Sequence, residues 1–173
     1  MTIAENLLAE LDQESQATRR ILERIPEDKL GWSPAEKSMT IGQLGMHIAQ
    51  GPGQVAEMAT KDSLDFQTFD GRVPAPSSTK EILDTYSSSL ATARQLMSQM
   101  DDARMLGTWR AMMGEKELMA MPRAGLIRMI MLNHQYHHRG QLSVYLRLLG
   151  ESVPSVYGPT ADEAPDFLAE ATA

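Results

Sequence analysis

Apolar residues recur at intervals of three and four along four stretches of the chain, the spacing of one face of an α-helix. Leu7, Leu8, Leu11, Ile21, Leu22 and Ile25 trace the first, with Thr18 on the same line, and Pro26 ends it. Ile41, Leu44, His47, Ile48, Val55 and Met58 trace the second; Ile82, Tyr86, Leu90, Ala93, Leu96, Met97 and Met100 trace the third. The fourth starts near Pro122 and runs through Ile127, Ile130, Met131, His134, His138, Gln141, Leu142, Tyr145 and Leu148.

The ends of these stretches carry helix signals. Thr2 to Glu5, Thr40 to Gln43 and Ser78 to Glu81 each read as a capping box, a hydroxyl followed three residues later by Glu or Gln. Pro122 suits a first helical turn, and Gly150 stands where a C-terminal glycine cap belongs, with Pro154 beyond it. The connections around "PEDKLGWSPAEKS" and "DFQTFDGRVPAPSS" have turn chemistry. Between Gly107 and Gly114 a short apolar run reads as extended, and "KELMAM" reads as a loose hairpin or a helical turn. A tail from Glu151, with prolines at 154, 159 and 165, is expected to wrap over one end of the helices. The expectation is one all-α domain over residues 1–173: a four-helix bundle with a long fourth helix and an irregular C-terminal tail.

Bulk properties narrow the function classes. A chain of 173 residues is long enough to bury a core. Its net charge of -7, without a basic run, excludes a visible nucleic-acid footprint. It has no cysteine, which removes disulfides, zinc–thiolate sites and a cysteine nucleophile together. The first twenty residues lack a signal-peptide pattern and no apolar run is long enough to span a bilayer, so a cytoplasmic protein is expected. The thirteen methionines, at helical spacing, read as adaptable core filler.

The candidate chemistry lies in "NHQYHHRGQL", which holds three of the four histidines. Residues four apart on a helix fall within about 40° of one another. His134 and His138 therefore share a line, while His137 points about 100° away from His138 and can flank the site or compete for it. His47 lies on the inward side of the second helix. Spacing alone leaves three readings: a metal site built across two helices, a pH-sensitive cluster, or a hydrogen-bonded polar core. Three nitrogen ligands leave room for water or substrate on a metal, the mark of a catalytic site. Gln135 follows His134 where the zinc-protease signature requires Glu, so peptidase chemistry is not supported. If a carboxylate base is needed it comes from elsewhere, such as Glu57, which reads better as a solvated residue. Arg139 reads as a surface charge or a substrate anchor at the rim, Gln141 as a residue that orients a ligand ring, and Tyr145 as packing or a hydroxyl in the cavity.

"HQYHHRGQLSVYLRLLG" followed by "VPSVYGPTADE" resembles the last helix and tail of the DinB/YfiT-like superfamily, and "IPEDKLGWSPAEKSMTIGQLGMHIAQ" resembles its first loop and second helix. The resemblance spans about Leu7 to Glu163, and the histidine-Arg-Gly-Gln segment is its most specific part. It implies a four-helix bundle holding a divalent metal through His47, His134 and His138. Nickel or zinc is the metal implied, with iron or manganese also compatible with histidine. It further implies a small-molecule substrate, a low-molecular-weight thiol as cosubstrate, and a homodimer. Thiol transfer and hydrolysis are the reactions it suggests, and a non-enzymatic metal- or ligand-binding protein of the stress response is the alternative.

Overall fold

The structure, a computed structural model, describes residues 1–165; the last of the expected tail lies outside them. Helix α1 spans Ile3–Leu22 and helix α2 spans Ile41–Thr60, each opened by the complete capping box read from the sequence. Helix α3 spans Thr79–Met97. Here the box is only half formed. Ser78 accepts the Glu81 N–H, but the Glu81 carboxylate turns to Ser77, whose N–H and hydroxyl each donate to it at 2.7 Å. A residue with two donors outcompetes the single cap N–H.

Leu11, Ile21, Leu22, Ile41, Leu44 and Tyr86 are fully enclosed where α1, α2 and α3 meet. Pro52 interrupts α2 from within and removes one N–H from its ladder. Ser89 of α3 bonds to the backbone on either side of the proline: its hydroxyl accepts the Gly53 N–H at 2.7 Å and donates to the Gln50 carbonyl at 3.1 Å. Glycine suits this close approach, because a Cβ at position 53 would sit 3.2 Å from the Ser89 Cα and push the two helices apart by a few tenths of an ångström.

The chain is mostly helical but not purely so, which corrects the all-α expectation. Strand β1 (Ser63–Asp65) pairs in parallel with β2 (Thr108–Met113), and β2 pairs antiparallel with β3 (Lys116–Pro122). The physical reason lies in the alternation along β2, where Trp109 and Ala111 are buried while Thr108 and Arg110 are exposed. Gly114 takes a φ of 61° in the hairpin turn, and its N–H and that of Gln67 each donate to Asp65 Oδ1 at 2.9 Å. Arg123, buried at the start of the next helix, donates to the carbonyls of Ala59, Lys61 and Thr108 and to the Asp62 carboxylate. It thereby satisfies the last carbonyls of α2 and fastens that end to the sheet.

The final helical run starts as α5 (Arg123–Leu126), continues as a π-helical stretch (Ile127–Asn133) and ends as α6 (His134–Leu148), with Gly150 beyond it at a φ of 81°. Its buried stripe in α6 is Gln135, His138, Arg139, Leu142, Tyr145 and Leu146. The centre of that stripe is rotated by about 100° from the line of His134, Gln141 and Leu148. Leu148, expected inside, is 62% exposed. Arg139, expected at the surface or rim, is 3% exposed. It donates to the Glu14 carboxylate at 2.7 Å and to the Thr18 hydroxyl at 3.2 Å, and its guanidinium stacks on the Tyr157 ring of the tail. Tyr157 donates to the same carboxylate at 2.7 Å. Ion pairs of Arg147 with Asp162 and of Arg20 with Glu163 hold the described tail against α6 and α1.

Among the described residues no helix is long and apolar enough to cross a membrane. Removing the guanidinium in Arg139→Ala leaves the Glu14 carboxylate in a nearly dry position with no counter-charge and only the Tyr157 hydroxyl donating to it, so unfolding in urea should show a loss of about 3–5 kcal/mol. A loss below about 1 kcal/mol would mean that the pair sits in a far wetter place than its burial says.

Candidate metal centre

Three imidazoles meet where α2 passes the start of α6. Candidate ligand nitrogens of His47, His134 and His138 all lie within 4.8 Å of one another. The His134 and His138 rings are 4.3 Å apart between centroids, and His47 stands 5.1 and 4.6 Å from them, each pair nearly edge to face. The i, i+4 spacing on α6 brings the first two together, and the inward position of His47 on α2 supplies the third. Among the described residues this is the cluster of histidine and acidic side chains that could hold a metal ion.

Hydrogen bonding sets which nitrogens point where. His138 Nδ1 lies 2.9 Å from the side-chain amide oxygen Oε1 of Gln141, an acceptor, which places the His138 proton on Nδ1. The Nε2 of His138 then presents a lone pair, 2.9 Å from His134 Nε2. With His134 protonated on Nε2 the contact is an N–H···N hydrogen bond; with that nitrogen bare, a cation between the two rings takes the proton's place. Two imidazoles bound to one ion at about 2.0–2.1 Å have nitrogens roughly 3–3.4 Å apart, so little adjustment separates this contact from a chelate. The donor set fits a borderline metal such as zinc or nickel.

Burial keeps the rings in the form that metal binding requires. Desolvation first, then the His138 and His134 rings, push His47 down to about 4. Desolvation and the His138 and His137 rings lower His134. His138 is lowered chiefly by burial, against an upward pull from its bond to Gln141. All three are neutral near pH 7.

The remaining sequence candidates fall into different places. His137 is exposed, and its ring centre is 4.8 Å from that of His138. Gln141 lies against His138, as described. Tyr145 is buried edge-on against Trp32, 5.8 Å between centroids, and does not line the cavity beside the histidines. Arg139 faces away into its pair with Glu14. Glu57 is exposed and stands outside the histidine cluster.

His47 and His134 form part of the wall of a cavity of about 370 Å³. Much of the rest of that wall escaped the sequence reading: Trp109 and Ala111 of β2, Met119 and Met121 of β3, Met129 of the π-helical stretch, and the loop after β1. The methionines therefore divide. Met46, Met97, Met105 and Met131 are core filler as expected, whereas Met58, Met119, Met121 and Met129 face the cavity. The one available signal was the alternation in β2 followed by a methionine-rich hairpin.

The lowered values set a pH dependence for the metal-free protein. As pH falls, the unfolded chain takes up protons on these histidines near its ordinary 6.5 while the folded rings resist. Their contribution is complete above about 6.5 and is lost as pH falls toward the His47 value of about 4. Urea midpoints measured in chelator at pH 7.5 and 5 should fall for the native chain and fall less for His47→Gln. Equal falls would show that His47 titrates alike in both states.

Comparison with known proteins agrees with this architecture. The pattern of the DinB family matches residues 1–167. The uncharacterized protein YrdA of Bacillus subtilis (strain 168) is 29% identical over 168 residues, 96% of this chain and 95% of its own. A DinB-like protein of known structure from Bacillus cereus ATCC 10987 has a TM-score of 0.69 at 25% identity, over 88% of this chain and 97% of its own. The DinB-like protein YjoA of Bacillus subtilis shares the fold, with a TM-score of 0.67 at 18% identity over 94% and 97%. With a family match that runs through both histidine-bearing helices and the sheet between them, the chain belongs to the DinB family.

Proposed function

We propose that His47, His134 and His138 hold a divalent metal ion, nickel or zinc before iron or manganese, and that the protein is a metal-dependent enzyme acting on a small molecule in the adjoining cavity. The observation that carries this reading is the convergence of three neutral imidazoles at the wall of a cavity of about 370 Å³. A structural site would be closed by a fourth protein ligand, and among the described residues no carboxylate joins the cluster. When bound, the metal supplies Lewis acidity that lowers the pKa of a coordinated thiol or water.

The chain's own residues do the rest. Gln141 fixes the tautomer and orientation of His138 by accepting its Nδ1–H. His47 and His134 border both the metal position and the cavity, so a ligand in the cavity lies next to the reacting position. Transfer of a small thiol to an electrophile fits better than base-assisted hydrolysis. The carboxylate in the cavity wall, Asp70, is engaged by the Arg72 guanidinium and is a poor general base. The absence of cysteine accords with a nucleophile that arrives as cosubstrate. A four-helix bundle, a homodimer and a cytoplasmic location belong to the same reading.

Two measurements test it. Protein purified from metal-replete cells should carry about one divalent ion per chain, and His134→Ala should lose it together with metal-dependent conjugation of small thiols to chlorodinitrobenzene. Stoichiometric metal with no turnover across a panel of thiols and esters would leave a metal-binding protein without catalysis. In Gln141→Leu the histidines stay in place but His138 loses its orienting partner, and metal affinity should fall about 10–100-fold. An unchanged affinity would show that Gln141 only packs.

A further inference from the structure

The cavity wall says what kind of molecule belongs beside the histidines. Its methionines come from three elements: Met58 of α2, Met119 and Met121 of β3, and Met129 of the π-helical stretch. Unbranched thioethers adapt to the shape of a guest and make favourable contacts with aromatic rings. Trp109 is held rigidly among them, because its indole N–H donates to the Met58 carbonyl at 3.2 Å. Phe66 and Phe69 close another part of the wall, edge to face with centroids 6.0 Å apart.

The polar groups are few and uncharged in effect. Gln50 and Gln54 follow His47 at i+3 and i+7, so their amides lie on the same face of α2 and line the cavity. The charged residues of the wall, Asp70 and Arg72, neutralise one another through bonds of 2.9 and 3.0 Å. In the metal-free cavity a charged guest would give up its hydration for a mostly apolar wall whose two charged side chains already pair with each other.

We infer that the cavity is a binding chamber for an uncharged aromatic or similarly apolar small molecule, held by the methionine and aromatic wall, with one neutral polar substituent within reach of the Gln50 and Gln54 amides. Calling that molecule the substrate rests on the metal-enzyme reading; the binding itself does not. The volume lies in the range of cavities that enclose drug-sized ligands.

Two probes with the same aromatic body and different charge test this. In chelator-treated protein, neutral N-phenyl-1-naphthylamine should bind saturably, at least tenfold more tightly than the anionic 8-anilinonaphthalene-1-sulfonate. The affinity should change less than threefold when the metal is removed with chelator. Met119→Glu and Met129→Glu alter side chains that are 46% and 38% exposed, so the fold tolerates them, and each should weaken the neutral probe at least tenfold. Met113→Glu is the control: Met113 is 42% exposed on the same sheet but lies outside the cavity wall, and its affinity should stay within twofold. Absence of saturable binding, equal binding of the sulfonate, or equal loss in Met113→Glu would overturn the chamber. Probe binding that passes these tests in a protein without bound metal or turnover would support the chamber and remove the enzyme.

Discussion

Two imidazole nitrogens 2.9 Å apart, with a third ring beside them, cannot all carry protons or all present bare lone pairs. The surroundings choose between these states. Burial makes the charged forms costly, and the Gln141 side-chain amide oxygen fixes the His138 proton on Nδ1, away from the cluster. His138 then turns a lone pair toward His134, and one nitrogen of each of the three rings lies within 4.8 Å of the others, near enough to share a cation. The rest of the molecule maintains that arrangement: α2 carries His47, the π-helical stretch delivers His134 to the start of α6, and the sheet encloses the space in front.

The rotation of α6 explains how the same histidines can be held firmly and still be reached. The buried stripe passes through Gln135, Arg139, Leu142 and Leu146, so His134 and Gln141 lie at its edge instead of at its centre. Arg139 fixes the rotation. Its pair with Glu14, covered by Tyr157, locks the next face of the helix against α1. A ligand line in the middle of the core would have no cavity to face. The seven-residue π-helical stretch just upstream changes the phase of the helix by widening its turn, and such stretches are frequent at functional sites.

Much of this was legible in the chain. Periodicity and capping residues located the long helices, and the i, i+4 pair with an inward His47 named the three rings that the structure brings together. The π-helical stretch was not legible, because a constant 3.6-residue period was carried across it; that is why Arg139 was read as outward and Leu148 as inward. Strand β1 is three residues long and shows no period of its own. The run between Gly107 and Gly114 was read as extended and "KELMAM" as a loose hairpin or a helical turn, which β2 and β3 bear out as strands of a hairpin. Their assembly with β1 into a sheet was not read, nor was the methionine wall of the cavity. Local hydrogen bonding defeated one further reading, the Ser78 capping box, because the neighbouring Ser77 offers its N–H and hydroxyl to the Glu81 carboxylate.

The central claim is that His47, His134 and His138, and no other side chains, define one metal position open to the cavity. Anomalous diffraction from crystals of the metal-replete protein, collected on both sides of the metal's absorption edge, tests it most directly. The account predicts a single strong peak per chain at about 2.0–2.1 Å from one nitrogen of each of the three rings, with a non-protein ligand on the cavity side. A peak coordinated by His137 or by a carboxylate in place of one of the three, or no peak in metal-replete protein, would contradict it.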